Sequence, residues 1–548
     1  RKLNEALDVV TDPTTGLPVC RSVLNGTDTS CVPFNVFARG GVTPATEAFL
    51  QTPGLQTGNV NETIADANFT FEGGEYGLQT PWSDRGIGVN VGAEYRKEAL
   101  ATQVDVTLHT GDLAGSGGPT TPVSGFFDVR ELFTEVQVPI VSHSFFEDLT
   151  VTGGYRFSDY KVAGNHFSTD TYKIAAEFAP IRDIRLRASY NRAVRAPNVV
   201  ELFSPQSLGL AGGTDFCSGA ATNGLVHGFT AAQCANTGVT AAQFGFVDSN
   251  PANQFNAVFG GNPNLSPEKA DTYTAGAVIQ PRWIPGLALT VDYFNIKIKN
   301  LISTLSFNNV VFQCAATGNP LFCNLIHRDV FGSLTDLPTG FVTLTNINIG
   351  GLQTRGFDLN ASYARRIGRF GTLNVSYVGT ILRNLIVDNG INSGNGSNGV
   401  FDCASFFGAT CGTPNPKYRH KLRVGFTLPN GLGISGQWRY FSAVRNDTLS
   451  SDCDLNTGTT AGGATCASFA NSSPGDARLP AQSFFDLALT ARIADRYNFR
   501  LGANNIFDRS PPVAGGDVVG PPAGNGNTFP QVFDSLGRFI FAGVTVDF

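Results

Sequence analysis

Hydrophobic and polar residues alternate along the chain from about residue 64 to residue 548. In the last of these stretches, Ile540 and Ala542 fall on one face, whereas Thr545 and Asp547 fall on the other. A period of two indicates β-strands. We predict fifteen strands, with approximate spans of 64–77, 86–99, 126–140, 148–161, 166–180, 184–196, 268–281, 286–300, 342–365, 369–385, 416–428, 431–445, 480–493, 496–508 and 538–548.

The polar face of these strands carries charge, which a soluble β-sandwich would not repeat strand after strand. Arg185 and Arg187, for example, alternate with Leu186 and Ala188. The charged face must contact water and the apolar face must contact lipid. A transmembrane β-barrel provides both, with a polar interior and an apolar outer surface. Helical spans are excluded, because no apolar run approaches the roughly 18 residues that they need. The predicted fold class is therefore all-β, an antiparallel transmembrane β-barrel.

Connections between the predicted strands alternate strictly in length. Tight turns such as 181–183, 429–430 and 494–495 alternate with loops that mostly run to tens of residues. In barrels of this kind, short turns are periplasmic and long loops extracellular. We therefore predict that residues 1–62 are an extracellular loop region. Residues 63–548 would be the C-terminal part of a barrel in the bacterial outer membrane, with the C-terminus in the periplasm.

Two predicted strands are irregular. In the eighth, Val291 and Tyr293 share one face, whereas Ile296 and Ile298 share the opposite parity. A β-bulge near Tyr293 would reconcile the two halves, because a bulge adds one residue to a strand. The ninth contains Gly350, where a bend would divide it into two strands.

An odd strand count does not make a complete bacterial barrel, whose strand number is even. Unpaired edges in lipid are costly, since each leaves backbone groups without hydrogen bonds. Further strands are therefore expected upstream. The chain also begins at Arg1 and contains no methionine, so we interpret it as a processed product or an internal fragment.

Ten cysteines form five local couples, all in predicted loops on the outer side and none in a predicted strand. An even number of loop cysteines indicates disulfides formed in an oxidising compartment. Metal-binding thiolates, the alternative, are usually spaced more closely, so no metal site is predicted. The couples are Cys20 with Cys31, Cys217 with Cys234, Cys314 with Cys323, Cys403 with Cys411, and Cys453 with Cys466.

Catalytic signatures are absent from the sequence: it has no nucleophile elbow, zinc-protease motif, phosphate-binding loop or closely spaced cysteine pair. The six histidines are scattered. We therefore predict a protein that is not an enzyme and needs no cofactor. The net charge of −6 argues against nucleic acid as a partner.

Arginines recur on the polar face and are predicted to line the lumen. They either pair with acidic groups such as Glu94, Glu131, Glu135 and Asp486, or form an anion-attracting conduit. Loop phenylalanines either form an outer platform for a ligand or pack small loop cores. The candidate lumen residues are Arg96, Arg156, Arg185, Arg187, Arg423, Arg439, Arg492 and Arg500, and the candidate ligand-loop aromatics are Phe307, Phe312, Phe406 and Phe407.

Three internal motifs resemble those of TonB-dependent outer-membrane receptors, and they occur in the family's order. A C-terminal aromatic residue, the family's signal to the barrel assembly machinery, completes the resemblance. The first motif contains Arg195, Ala196, Pro197, Asn198, Glu201, Leu202 and Phe203; the second contains Asn262, Pro263, Asn264, Leu265, Pro267 and Glu268; the third contains Asn505, Phe507 and Asp508; and the terminal aromatic is Phe548.

This resemblance implies a receptor with 22 strands around an N-terminal plug, of which about 15 strands and no plug are present in this chain. It implies that a scarce nutrient, such as a ferric siderophore, a vitamin or an oligosaccharide, is bound outside and imported with energy from TonB. The expected partners are outer-membrane lipid, TonB through a missing N-terminal part, and a small-molecule or glycan ligand. Two alternatives stay open: a passive porin closed by a sixteenth strand within residues 1–62, and a surface protein whose loops bind a protein partner.

Overall fold

A single large antiparallel sheet dominates the computed structural model. The structure describes residues 2–113, 118–162, 165–335, 339–390, 399–408, 410–450, 455, 477–494, 496–515 and 527–547, so Cys453, Cys466 and Phe548 lie outside the described residues. Fifteen strands follow one another in chain order across the described part of the sheet, and a short sixteenth strand, Val400–Asp402, pairs with the end of the strand Gly371–Asp388. This arrangement agrees with the predicted strands and fold class.

The sheet strands, numbered in chain order, have the following bounds. They are β1 Gln56–Glu72, β2 Gly88–Val104, β3 Ser124–Ser142, β4 Asp148–Val162, β5 Asn165–Ile181, β6 Ile184–Arg195, β7 Glu268–Ile279, β8 Leu287–Lys299, β9 Gly351–Ile367, β10 Gly371–Asp388, β11 Tyr418–Thr427, β12 Leu432–Phe441, β13 Gln482–Ile493, β14 Tyr497–Asn504 and β15 Phe539–Val546.

Strands β1 and β15 form the two edges of the sheet, and no pairing joins them in the part of the chain that the structure describes. Residues before β1 include the short strands Val9–Thr11 and Pro18–Cys20, which pair only with each other. The sixteenth strand that the porin alternative requires is therefore not found within residues 2–55. No described helix is long and apolar enough to span a membrane.

The predicted bulge at Tyr293 is wrong. Strand β8 pairs with β9 without interruption from Leu287 to Lys299. The register shifts instead between β9 and β10, next to Gly356. Phe294, directly opposite Gly356, occupies the space that a side chain there would need: a Cβ atom at Gly356 would lie 2.8 Å from the Phe294 ring. An apolar residue can therefore lie on the inner face without a change of parity.

Connection lengths alternate less strictly than predicted. Val162 ends β4 and Asn165 begins β5, so the connection on the side of the long loops is short there. Conversely, residues 73–87 separate β1 from β2 on the side of the tight turns. The predicted span 342–365 is interrupted before β9, at Gly350 with φ +68°, but it contains three strands rather than one or two: Phe341–Thr343, Ile347–Asn348 and β9.

Short helices and strands occupy the loops. Four of the predicted cysteine couples are disulfide-bonded, although Cys20 ends a short strand rather than lying in a loop. The helices are α1 Lys2–Leu7, α2 Arg21–Leu24, α3 Pro44–Leu50, α4 Val106–Thr110, α5 Val199–Phe203, α6 Ala231–Ala235, α7 Phe307–Thr317 and α8 Pro320–Cys323, with 3-10 turns at Gly73–Tyr76 and Asp447–Leu449.

Candidate functional site

The two long loops that follow β6 and β8 fold together into one unit, here called the loop domain. It comprises residues 196–267, 300–335 and 339–350. Each loop contributes two strands to a four-stranded sheet, and the central pairing is parallel and joins one loop to the other. The order of strands in this sheet is Ile326–His327, Phe341–Thr343, Gln254–Phe259 and Ser207–Gly212.

An apolar core fills the loop domain. Phe255 of the first loop stacks on Phe307 of the second, with ring centroids 4.6 Å apart. Val310, Cys314 and Val342 are fully buried in the same cluster. The loops therefore have a packed interior of their own, which periodicity along the sequence does not reveal.

A buried ion pair also joins the two loops. Arg328 donates to both carboxylate oxygens of Asp215 at 2.7 and 2.8 Å, and their side chains are only 3% and 1% exposed. The same guanidinium donates to the carbonyl oxygen of Thr237. Breaking a buried pair leaves an uncompensated charge, which typically costs about 3–5 kcal/mol. These contacts fix the relative position of the loops.

The predicted aromatic platform is not formed by all four phenylalanines. Phe307 and Phe407 are 2% and 0% exposed and belong to loop cores. Phe312 packs against the ring of Phe229 at 5.4 Å, and Phe406 is half-buried beside Cys403. Burial of these rings stabilises the loops, because it removes apolar area from water. A ligand can contact only the half-buried members.

The first and second family motifs meet where β6 and β7 end. Arg195 forms ion pairs with Glu201 at 2.9 Å and with Glu268 at 2.7 Å. Asn198 caps α5, since its side chain accepts the backbone N–H of Glu201 while the Glu201 carboxylate accepts that of Asn198. Asn262 donates to the carbonyl oxygen of Asn346 at 2.9 Å. These polar contacts hold the loop domain to the strand ends.

Apolar members of the same motifs pack inside the barrel wall. Leu202 and Phe203 of α5 and Leu265 share a buried cluster with Phe127 and Val129 of β3. Ala196 packs on its edge. Pro197 directly precedes α5, while Pro263, Asn264 and Pro267 belong to the segment that leads into β7. The face of the sheet that carries α5 is therefore the inner face, and these motif residues have a structural role.

The third motif anchors the last long loop. Asn505 is fully buried, and its backbone N–H donates to Asp486 of β13 at 2.9 Å. Asp508 accepts the backbone N–H of Arg538, which leads into β15. Phe507 is exposed beside Phe485, on the outer face. The motif thus orients the loop between β14 and β15.

Most of the candidate lumen arginines lie in ion pairs on the inner face. Each contacts a carboxylate of its own strand, of a strand one or two positions away in the sheet, or of a loop, and this contact satisfies its charge within the wall. Lys173 similarly pairs with Glu135. The pairs are Arg96 with Glu98, Arg156 with Glu94 and Glu131, Arg185 with Asp148 and Glu177, Arg187 with Asp292, and Arg439 with Asp486 and Asp534.

Two arginines differ from these. Arg423 donates to the hydroxyl of Ser435 at 3.1 Å, and Arg500 lies over the ring of Phe541 at 5.0 Å. Neither forms an ion pair with a described carboxylate. Arg492 lies on the same inner face, in β13. The wall from β11 to β14 thus carries positive charge near the tight turns.

The described residues contain no cluster of potential metal ligands.

A model of the family "TonB dependent receptor-like, beta-barrel" matches residues 27–506 of the chain. The protein belongs to the TonB-dependent receptor family. Membership confirms the family resemblance of the motifs and indicates the bacterial outer membrane as its location. The family consists of transport receptors. No match was found among curated proteins.

Solved structures of TonB-dependent receptors share the fold. A ferric enterobactin receptor mutant of Pseudomonas aeruginosa in complex with enterobactin is 14% identical, with a TM-score of 0.54 over 90% of this chain and 55% of the receptor. The siderophore receptor PirA of Acinetobacter baumannii is also 14% identical, with a TM-score of 0.53 over 90% and 55%. This chain therefore spans about half the length of these receptors.

Proposed function

We propose that this chain is the barrel part of a receptor that binds a scarce nutrient at the cell surface and imports it with energy from TonB. The observation that carries the proposal is the loop domain. Its buried ion pair and its disulfides hold a preformed surface at the strand ends, and preformed sites lose less entropy on binding. The family and its siderophore-receptor structures support the same function.

A ferric siderophore is the substrate class that we favour. Arg423 and Arg500 give the inner face positive charge, which raises the local concentration of anions. Vitamins and oligosaccharides are the remaining classes within this proposal. The plug and the segment that contacts TonB are expected from the family and would belong to the same receptor.

The proposed orientation places the tight turns in the periplasm and the long loops outside. Residues 1–62, the loop domain and the disulfides would then be extracellular, and the C-terminus periplasmic. Disulfides persist in oxidising compartments, which is consistent with this side of the membrane.

A second candidate function is binding of a protein partner at the cell surface. Phe246, Val330 and Phe331 are 84%, 82% and 73% exposed on the loop domain. Gln243 hydrogen-bonds the carbonyl oxygen of Val330, which places these apolar residues near one another. Exposed apolar groups of this kind often mark interaction surfaces.

Uptake by cells tests the first function. The full-length receptor is expressed in a strain that lacks its own siderophore receptors. Accumulation is measured for ferric enterobactin labelled with iron-55 and, separately, for a carbon-14-labelled uncharged vitamin. We expect accumulation that disappears when TonB is deleted. Equal accumulation without TonB would overturn energised import, and steady conductance in a planar bilayer would then identify a passive channel.

Arg423→Gln combined with Arg500→Gln tests the role of the positive inner face. The variant is expected to take up an anionic ferric siderophore several-fold more slowly, with unchanged binding of the ligand to whole cells. Arg365→Gln combined with Arg366→Gln, at the exposed end of β9, is the matched control. An equal decrease in both double variants would contradict a conduit specific to β11–β14.

A further inference from the structure

A polar recess of about 410 Å³ lies in the inner face of strands β9 to β13, beside the tight turns. Side chains alternate between the two faces of a strand, so the inner position of Arg423 also places Gly425 and Thr427 of β11 inside. The pairing register then assigns the neighbouring strands. The recess, here called the Arg423 recess, has these other polar side chains on its wall: Ser362, Asn374, Ser376, Thr427, Ser435 and Thr490.

Small residues create the space beside the guanidinium group of Arg423. Gly425 and Gly433 present no side chain to the recess, and Ala364 presents only a methyl group. A Cβ atom at Gly425 would lie 3.6 Å from the Cβ atom of Ser435, which is an ordinary contact distance. A larger side chain at Gly425 would therefore project into the recess and fill it.

Arg423 has no carboxylate in the described wall to balance its charge. It lies directly opposite Ser376 and Gln437 on the neighbouring strands, and neither side chain is charged. Arg187, by contrast, reaches Asp292 at 2.6 Å. Within the described residues, the guanidinium of Arg423 donates one hydrogen bond, to a serine hydroxyl at 3.1 Å. A guanidinium has five N–H donors, so most of them remain available.

Hydroxyl groups of the recess supply further donors. In the part of the chain that the structure describes, the side chains of Ser362, Ser376 and Thr490 form no hydrogen bond. A hydroxyl group donates one hydrogen bond, and its hydrogen rotates to suit the acceptor. Arg500, directly opposite Thr490 on β14, adds a second positive charge at the rim. These donors and charges together fit a negatively charged oxygen ligand.

We infer that the Arg423 recess is a binding site for a carboxylate group. A guanidinium binds a carboxylate through two parallel charge-assisted hydrogen bonds, and a cleft lined by one sign of charge concentrates ions of the opposite sign. The carboxylate belongs either to a side chain of the receptor inside the barrel, or to an anionic nutrient on its way to the periplasm. The inference deepens the proposed function and rests on it, since that function supplies both sources.

Carbodiimide coupling of the full-length receptor tests the site. The reagent joins an amine to a carboxylate in contact with it, so Arg423 is first changed to lysine, Arg423→Lys. The detergent-solubilised variant is coupled with and without citrate, a tricarboxylate probe, and its peptides are identified by mass spectrometry. Arg369→Lys, in the exposed turn between β9 and β10, is the matched control. We expect at least tenfold more coupling at position 423 than at position 369.

The coupled partner identifies the source of the carboxylate. A bond from position 423 to an Asp or Glu of the receptor supports the site and assigns it to an internal side chain. Coupling to citrate without such a bond supports the site and assigns it to a free anion. Coupling at position 423 that does not exceed coupling at position 369, with either partner, would overturn the inference.

A steric variant then locates the site. Gly425→Val, added to Arg423→Lys, should decrease coupling at position 423 at least tenfold, because the branched side chain fills the recess. Gly543→Val is the matched control: it lies on the inner face of β15, where no atom lies within 4 Å of an added Cβ atom. Undiminished coupling with Gly425→Val would overturn the location, as would an equal decrease with Gly543→Val.

Two further readouts keep the result interpretable. Heat-dependent gel mobility reports whether each variant folds, and should Gly425→Val not fold, the comparison of positions 423 and 369 decides. Coupling requires no transport, so its failure would leave energised uptake standing. Conversely, uptake that does not require TonB would overturn the proposed function without changing the coupling at position 423.

Discussion

The barrel wall and the loop domain are held together by different interactions. In the wall, each strand pairs with its sequence neighbour, as β8 does with β9 over its whole length. In the loop domain, segments far apart in sequence meet: Asp215 contacts Arg328, and Gln254–Phe259 pairs with Phe341–Thr343. The wall depends on its membrane surroundings, whereas the loop domain depends on a few specific long-range contacts. Single substitutions should therefore affect one region without the other.

The largest effect is expected for Arg328→Met. The change should destabilise the loop domain by about 3–5 kcal/mol, because Asp215 would remain buried without its counter-charge. Hydrogen–deuterium exchange of loop-domain peptides measures the loss, while heat-dependent gel mobility reports on the barrel. Arg282→Met is the control, because the Arg282 side chain is 71% exposed in its pair with Asp183, and ion pairs open to solvent are typically worth at most about 1 kcal/mol. Similar loss of protection in both variants would contradict the role of the buried pair.

A charge on the lipid-facing side should destabilise the wall. Leu359→Arg is expected to cost about 2–4 kcal/mol, because Leu359 lies in the middle of β9 and faces lipid. Asn360→Arg, one residue farther along and on the inner face, should cost much less. Equilibrium unfolding in lipid vesicles, followed by tryptophan fluorescence, measures both. Equal costs would refute the assignment of faces.

Loss of a disulfide should destabilise the loop domain somewhat less. Cys314→Ala with Cys323→Ala opens a bridge with a sequence separation of 9, which corresponds to about 2.5 kcal/mol on the chain-entropy scale. Proteolysis of the loops at graded urea concentrations measures the change. Cys20→Ala with Cys31→Ala should leave the loop domain intact, since that bridge lies before β1. Faster cleavage of the loop domain in this control would contradict independent stabilisation.

The smallest effect concerns pH and the N-terminus of α4. Hydrogen bonds from the backbone N–H of Leu108, the hydroxyl of Thr107 and the backbone N–H of Leu55 lower the pKa of Asp105 below its usual value. A lowered pKa means that this stabilisation is complete above about pH 4 and is lost as the pH falls through the folded-state pKa. Exchange protection of α4, corrected for intrinsic rates, should decrease at pH 3 but not at pH 6. Asp105→Asn should remove the difference between these pH values, and a persistent difference would assign it to another group.

Much of the wall could be predicted from the sequence, because a period of two assigns each side chain to lipid or to the interior. This period identified the charged inner positions such as Arg187. The cysteine couples and the family motifs were recognisable from short stretches of sequence. Where prediction failed, a local contact was responsible. The space above Gly356 accommodates Phe294, so the change of parity in β8 needed no bulge at Tyr293.

The loop domain could not be derived from the chain alone. The burial of Phe307 and the ion pair of Asp215 with Arg328 both depend on which distant segments come together. The sequence by itself determined the alternation of apolar and polar residues that makes a barrel. This property is local, because each apolar side chain faces lipid and each polar side chain faces water whatever its distant neighbours are. Only the tertiary structure decided which loops pack together and which charges become neighbours, because strand register and loop packing are properties of residue pairs.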